Sequence, residues 1–207
     1  VIGILGVILL IVVIGVIYLL SSNNTTSDNL TNSVPNRVDG NSKVLVTYFS
    51  LPETDDAKNM NEDEENSTVI VDGEVLGNTE YVAMLISEYT NGDLFRIEPV
   101  TPYTTNHDDL TDQALEEQES DARPEIKDPL ESIDDYDTIF VGYPIWWYQM
   151  PMIMYTFFDE YDLSGKTIVP FNTHEGSGDS GTYSDIASLE PDADVVEGLT
   201  IRGGDME

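Results

Sequence analysis

The hydrophobic positions of this chain form one long unbroken run at the start and a series of short runs after residue 42. Residues 1–20 carry no charged or strongly polar side chain, and twenty helical residues span about 30 Å, the thickness of a bilayer's hydrocarbon core. We therefore expect one N-terminal transmembrane helix over this run. The alternative is a cleaved signal peptide, which would have a shorter apolar region and small residues at its cleavage site.

The segment after the apolar run is polar and has few hydrophobic side chains. Residues 21–42 are rich in Ser, Asn and Thr, which predicts a flexible tether because such a segment cannot bury enough surface to fold. Basic residues are sparse after the apolar run: residues 21–43 contain only Arg37 and Lys43. This favours an extracytoplasmic domain under the positive-inside rule, although that rule needs both flanks of a helix and leaves the side open here. The remaining residues, 43–207, form the expected folded domain.

From Lys43 onward, two kinds of hydrophobic pattern alternate along the chain. Runs of β-branched and aromatic residues predict strands, and apolar residues three or four positions apart predict helices. The predicted strands are 43–49, 93–98, 137–142, 166–171 and 194–201, and the predicted helices are one opened by Gly77-Asn78-Thr79 and stopped by Asn91-Gly92, one over 152–161 and one over 182–189. The acidic stretch 105–122 is either a polar helix or a loop. This alternation predicts an α/β fold, with helices on both faces of a parallel sheet.

A long polar insertion follows the first predicted strand. It covers residues 51–76 and is acidic from Glu53 to Glu65. Within it, residues 68–75 alternate around Asp72-Gly73, a dipeptide typical of tight hairpin turns. We expect a small hairpin there.

Ligands of parallel sheets bind beyond the carboxyl ends of the strands, where three loops should meet: 50–79, 143–149 and 173–181. The first loop ends in Gly77, Asn78 and Thr79 at a helix N-terminus, where free N–H groups and the helix dipole attract an anion. Ser50 adds a hydroxyl donor. The alternative is that Asn78 or Thr79 simply caps the helix.

The other two loops offer a different chemistry. The second supplies the flat rings of Trp146, Trp147 and Tyr148, which either stack on a ligand or form an aromatic cluster at the edge of the core. The third loop, Thr173-His-Glu-Gly-Ser-Gly178, has glycines that allow a ligand to approach the backbone, or it is a flexible loop without a ligand. An anion site beside a stacking platform suits a phosphorylated planar ligand. FMN fits, and other phosphorylated aromatic compounds fit as well.

Composition narrows the possible partners. The chain has 40 acidic and 8 basic residues and a net charge of −32, which excludes nucleic acid as a partner because its phosphates would not be neutralised. The charge is compatible with a cationic partner, with a saline habitat, or simply with solubility through repulsion. Because there is no Cys, disulfides, thiolate metal sites and iron–sulfur clusters are excluded.

Seven segments resemble the flavodoxin family, in particular flavodoxin-like proteins with an extended first loop. They are Val44–Ser50, Leu76-Gly-Asn-Thr79, Ala122–Ile126, Asp134–Pro144, Trp146–Tyr148 with Met150-Pro151, Ser164–Thr167 and Gly198–Gly203. The resemblance implies a three-layer sandwich whose five-stranded parallel sheet has the order 2-1-3-4-5. The family pattern continues into a final helix, which we expect to lie beyond residue 207.

The resemblance also implies FMN as the cofactor and assigns residues to it. Ser50, Asn78 and Thr79 would hold the phosphate. One side of the ring would contact Pro144, Ile145, Trp146 and Trp147, and the other side would contact Thr173, Gly176, Ser177 and Gly178. The expected function is electron transfer through FMN, at a membrane, to a redox partner protein. Two alternatives stay open: an FMN-dependent NAD(P)H:quinone-type oxidoreductase, and a membrane-tethered interaction module without flavin.

Overall fold

The computed structural model describes residues 43–206. The predicted transmembrane helix over 1–20 and the tether over 21–42 lie outside the described residues. Within residues 43–206, no helix combines the length and the apolar character that a membrane crossing requires.

The described chain folds around one parallel sheet. Its strands are β1 (Val44–Tyr48), β4 (Asp93–Arg96), β5 (Thr138–Pro144), β6 (Thr167–His174), β7 (Asp194–Val195) and β8 (Leu199–Arg202), and a separate antiparallel pair is formed by β2 (Thr68–Val71) and β3 (Glu74–Gly77). The order is β4-β1-β5-β6-β7, with β8 also paired to β6. This confirms the predicted α/β fold and its 2-1-3-4-5 order.

Helices cover both faces of the sheet. They are α1 (Glu62–Ser67), α2 (Asn78–Thr90), α3 (His107–Glu119), α4 (Met152–Glu160) and α5 (Thr182–Leu189), followed by a short 3-10 helix at Gly203–Asp205. Successive strand residues point to opposite faces, so Leu45 belongs to the core under α3, α4 and α5, whereas Val46 belongs to the core under α2. The result is the expected three-layer arrangement.

The prediction of one continuous strand over 194–201 is wrong. It is two short strands, and both pair with β6. Pro170 lies in β6 between the two paired segments and has no N–H to donate to a neighbouring strand. Gly198 passes so close to it that an added Cβ would lie 2.1 Å from the Pro170 carbonyl oxygen. The sheet therefore has six strands among the described residues, rather than five.

The insertion after β1 is more ordered than its polar composition indicates. The hairpin at Asp72-Gly73 is confirmed, since β2 and β3 pair across it. Helix α1, which the sequence did not reveal, begins in a capping box between Asn61 and Glu64. That pairing satisfies free N–H groups of the first turn. The helix lies beside the loop that follows β1, since the Ser67 hydroxyl accepts a hydrogen bond of 3.0 Å from the Glu53 N–H.

Candidate functional site

The three loops predicted to meet do so at a cleft of about 430 Å³ at the carboxyl edge of the sheet. Eight of the predicted site residues line it: Ser50, Asn78, Thr79, Pro144, Ile145, Trp146, Trp147 and Thr173. Its size falls in the range of small-molecule pockets. The cleft therefore has an end formed by the start of α2 and an end formed by the aromatic loop after β5.

The N-terminus of α2 is open toward a ligand. Its N-cap residue is Gly77, and no side chain caps the helix. The alternative in which Asn78 or Thr79 acts as the cap is therefore wrong. Thr79 is buried, and its hydroxyl shares a 2.8 Å hydrogen bond with the Thr173 hydroxyl. Because helix N–H groups without a cap need acceptors, this end of the cleft suits an anion.

The buried amide of Asn78 leaves one atom unsatisfied. Its Nδ2 donates to the Asn66 carbonyl at 2.8 Å, which fixes the orientation of the amide. Its Oδ1 is buried and has no hydrogen-bond partner among the described residues. A buried acceptor without a donor costs about 1–3 kcal/mol. A ligand hydroxyl at this end of the cleft would remove that cost.

A buried ionic network supports the first loop from behind. Arg96 of β4 contacts the Glu80 carboxylate at 3.2 Å and donates to the Ser50 carbonyl at 3.1 Å. Tyr48 donates to the same carboxylate at 3.5 Å. Burial, together with the charge of Glu80, raises the pKa of Tyr48, which keeps the phenol protonated as a donor. The network fixes Ser50 and the first turn of α2 relative to each other.

The aromatic loop is a tight turn with an unusual backbone. Trp146 and Gln149 exchange two backbone hydrogen bonds of 3.0 and 2.9 Å, so Trp147 and Tyr148 are the two central residues. Their φ angles are +47° and +63°, values that favour glycine or asparagine and cost roughly 1–2 kcal/mol for a bulky residue. Backbone strain of this kind is found mainly at functional sites.

The three aromatic residues of this turn have different surroundings. Trp146 packs edge-on against Phe49 and Tyr103, with ring centroids 5.3 Å from each, so it is partly a core residue. Trp147 is 48% exposed, and its indole N–H donates to the Thr111 carbonyl at 2.8 Å. Tyr148 is 71% exposed and does not line the cleft. The core-edge interpretation therefore applies to Trp146, and stacking of Trp147 on a ligand stays a prediction.

We predict that Tyr148→Gly is more stable than Tyr148→Ala by about 1 kcal/mol, because Ala retains the Cβ that makes a positive φ costly. In ordinary backbone conformations, Ala is the more stable of the two. Urea unfolding of both variants measures the difference. Equal stability, or a more stable Ala variant, would mean that the turn is not strained at this position.

Helix α3 forms a wall of the cleft that the sequence did not identify. His107, Leu110, Thr111 and Ala114 line the cleft from one face of the helix, at the spacing i, i+3, i+4, i+7 expected for a single face. The sequence alone does not decide between an acidic helix and a loop here, because most residues of the stretch are polar. The available signal was the pair Leu110 and Ala114, which are the buried residues of α3.

The predicted residues of the third loop separate into two groups. Thr173 lines the cleft, and it is followed by His174 and Glu175, which the prediction omitted. Gly176, Ser177 and Gly178 do not line the cleft. The Gly176 N–H donates to His174 Nδ1 at 2.9 Å, and the Gly178 carbonyl accepts from Asn172, so the loop folds back on its own strand.

Gly77 also does not line the cleft. It lies against Ser50, where there is no room for a side chain. A Cβ added to Gly77 would lie 2.1 Å from the Ser50 hydroxyl oxygen. The absence of a side chain therefore allows β3 to pass directly behind the first loop.

The charged groups of the cleft are mainly acidic. Glu53, Asp63 and Glu175 line it, together with His107 and His174, and no Lys or Arg from residues 43–206 does so. Burial raises the pKa of Glu53 and of Glu175. Burial, followed by the charge of Arg202, lowers the pKa of His174, which favours its neutral form. A ligand anion must therefore rely on neutral donors.

The comparisons with known proteins agree with the resemblance to flavodoxins found in the sequence. The family profile described as flavodoxin matches residues 69–206. A candidate flavoprotein from Bacteroides eggerthii is 32% identical, with a TM-score of 0.60 over 77% of this chain and 88% of that one. One from Bacteroides uniformis is 27% identical, with a TM-score of 0.59 over 77% and 90%.

A flavoprotein from Lactobacillus acidophilus, solved in complex with FMN, is 17% identical and has a TM-score of 0.54, covering 77% of this chain and 92% of that one. At this identity the likeness concerns the fold. No curated protein sequence matches the chain significantly. The profile match spans most of the chain, and together with the Bacteroides eggerthii relative it shows that this protein belongs to the flavodoxin family.

Proposed function

We propose that this protein binds FMN and transfers electrons to a redox partner protein. The observation that carries the proposal is the meeting of an uncapped helix N-terminus and an aromatic turn in one cleft at the carboxyl edge of the sheet. The family membership and the FMN complex of the Lactobacillus acidophilus relative support it.

The α2 end of the cleft fits the phosphate and the sugar-derived chain of FMN. The first N–H groups of α2 and the hydroxyls of Ser50 and Thr79 are neutral donors, and helix N-termini hold phosphate groups in this way. The unsatisfied Oδ1 of Asn78 suits a hydroxyl of the ribityl chain. Thr173 keeps the Thr79 hydroxyl in place through their mutual hydrogen bond.

The other end of the cleft fits a flat ring. Pro144, Ile145, Trp146 and Trp147 supply its apolar surface, and such rings offset-stack or meet edge to face with other aromatic systems. FMN supplies the one- and two-electron chemistry when bound, while the protein sets its potential and excludes water. Trp147 is held against α3 by its bond to Thr111, which fixes the position of this wall.

The charges around the cleft set the expected direction of the redox potential. Glu53, Asp63 and Glu175 line it, and their negative charges oppose the addition of further negative charge to a ring bound beside them. We expect the second electron to be added at a lower potential than in free FMN.

The purified protein, incubated with FMN and gel-filtered, should retain a flavin absorption band and take up two electrons in separate steps. Two electrons added together at the potential of free FMN would contradict the role as a one-electron carrier. A protein that retains no flavin would contradict FMN binding and favour the interaction module.

A two-electron oxidoreductase is the second candidate. The observation that favours it is His107, which lines the cleft from α3 and lies 3.0 Å from a Glu53 oxygen, since transfer to a protein partner needs no such polar pair inside the cleft. A nicotinamide donor would show itself as NAD(P)H oxidation above the background of free FMN.

We also propose that residues 1–20 anchor the protein in a lipid bilayer, on the strength of their length and apolar composition. The full chain should stay with the membrane fraction after an alkaline carbonate wash and be released by detergent. Release by carbonate alone would contradict the anchor.

A further inference from the structure

The aromatic turn, residues 146–149, is tied to α3 at two points. The side-chain amide of Gln118 donates to the Trp146 carbonyl at 2.9 Å. The Trp147 indole N–H donates to the Thr111 carbonyl at 2.8 Å. Since Thr111 and Gln118 are seven positions apart, they lie on one side of α3, about 10 Å from each other along its axis. One bond runs from the helix to the turn and the other from the turn to the helix.

The backbone of this turn needs support from outside. Its central residues, Trp147 and Tyr148, both have positive φ angles, and strained conformations of this kind persist only when the surrounding structure holds them. The sheet holds the start of the turn, since the Ile145 N–H donates to the Thr173 carbonyl at 2.9 Å. Beyond Ile145, the two hydrogen bonds to α3 fix the turn against the rest of the fold.

Gln118 acts on the backbone of the turn rather than on the cleft. The Trp146 carbonyl also accepts the Gln149 N–H at 2.9 Å, so the Gln118 amide occupies its second lone pair. The Gln118 side chain is half-buried and does not line the cleft, whereas Trp146 and Trp147 do. Gln118 can therefore influence a ligand only through the turn that it holds.

We propose that Gln118 is a positioning residue for the ring end of the cleft: by holding the Trp146 carbonyl, it keeps Trp146 and Trp147 in place before a planar ligand ring arrives. The proposal rests on the proposed binding of FMN. A preformed wall avoids the cost of ordering the turn during binding. Loss of the Gln118 bond should therefore weaken flavin binding although no contact with the flavin is removed.

The glutamines of α3 provide a matched pair of variants. Gln118→Met removes the donor and keeps an unbranched side chain of high helix propensity. The control is Gln113→Met. Gln113 is also half-buried and does not line the cleft, but its amide donates to Glu117 at 3.0 Å, within the same helix. Gln118→Lys restores a donor on a long side chain at the original position.

The first measurement is made on the full chain without flavin. The chain has two tryptophans, so labelling them with nitrogen-15 gives two indole N–H signals, and Trp147→Phe identifies the one from Trp147. This proton exchanges with solvent when the bond to Thr111 opens. We expect exchange to be about 5-fold faster in Gln118→Met, the effect of losing one hydrogen bond, and unchanged in Gln113→Met.

The second measurement is the dissociation constant of riboflavin and of FMN for the same flavin-free variants. Both constants should rise about 5-fold in Gln118→Met, so their ratio should keep its wild-type value, because the two ligands share the ring and differ in the phosphate. Gln113→Met should bind both ligands like the wild type. Gln118→Lys should bind riboflavin like the wild type, and riboflavin has no phosphate to interact with the added charge.

Equal effects of Gln118→Met and Gln113→Met would overturn the proposal, because they would show a general weakening of α3. Unchanged indole exchange, unchanged flavin binding, or weaker binding of FMN without weaker binding of riboflavin would also overturn it. So would a failure of Gln118→Lys to restore riboflavin binding, since the donor would then not be what matters. A wild-type chain that binds neither flavin overturns the proposed function, and this inference falls with it.

Discussion

Replacing Arg96 with Met should lower the free energy of unfolding by about 3 kcal/mol, since it leaves a buried carboxylate without its cation. Glu80 has a side chain only 6% exposed and contacts Arg96 Nη1 at 3.2 Å. The same guanidinium donates to the Ser50 carbonyl, so FMN affinity should fall together with stability. Urea unfolding and FMN titration of the same variant measure the two effects.

Lys127→Met is the matched control for this prediction. Lys127 pairs with Glu98 at 3.6 Å, and both side chains are about half exposed, so its loss should cost less than about 1 kcal/mol. Adding Glu80→Gln to Arg96→Met should recover part of the lost stability, because the buried charge is then removed. If Arg96→Met costs no more than Lys127→Met, the network does not support the first loop.

The two tryptophans should respond differently to truncation. Trp146→Ala removes edge contacts with Phe49 and Tyr103 and should cost about 3 kcal/mol of stability. Trp147→Ala removes an exposed ring and one hydrogen bond to a backbone carbonyl, and should cost less than about 1.5 kcal/mol. Both variants should bind FMN more weakly. Thermal unfolding and FMN titration provide the two readings.

The informative variant of the pair is Trp147→Ala. Weaker FMN binding with nearly normal stability is expected if this ring covers the flavin. A large loss of stability with unchanged FMN affinity would show that the whole turn is a core-edge cluster. Tyr148→Ala is a suitable control, since Tyr148 belongs to the same turn but does not line the cleft.

Most of the fold could be predicted because local signals and global pattern agree. Asp72-Gly73 favours a tight hairpin, and Asn91 adopts the left-handed conformation expected after the end of a helix. The strand order follows from the resemblance and is confirmed. The break between β7 and β8 could not be predicted, because it depends on Pro170 of β6 lying opposite Gly198, which is a contact between distant positions.

The α2 end of the cleft was easier to predict than its walls. Ser50, Asn78 and Thr79 follow from the rule that strand ends and helix starts meet at one edge. The α3 wall was missed because the apolar spacing of Leu110 and Ala114 is hidden among acidic residues. Gly176 and Gly178 indicate that the loop is free to adopt unusual backbone conformations. They do not indicate which way the loop turns, so its path away from the cleft could not be inferred.

The insertion contributes two cleft residues that no local pattern marks. Glu53 and Asp63 lie in an acidic stretch where surface solvation is the ordinary explanation. Their proximity to His107, more than forty positions away in sequence, appears only once α1 is packed beside α3. The chemistry of this cluster is therefore a property of the fold rather than of any motif.

The most direct test of the central claim is to compare the dissociation constants of FMN and riboflavin for the flavin-free protein. The two ligands share the same ring and differ in the phosphate, so the difference tests the proposed phosphate site at the start of α2. We predict that FMN binds at least about 100-fold more tightly, which corresponds to about 2.7 kcal/mol. Equal affinity for the two ligands, or tighter binding of riboflavin, would contradict a phosphate site at Gly77-Asn78-Thr79.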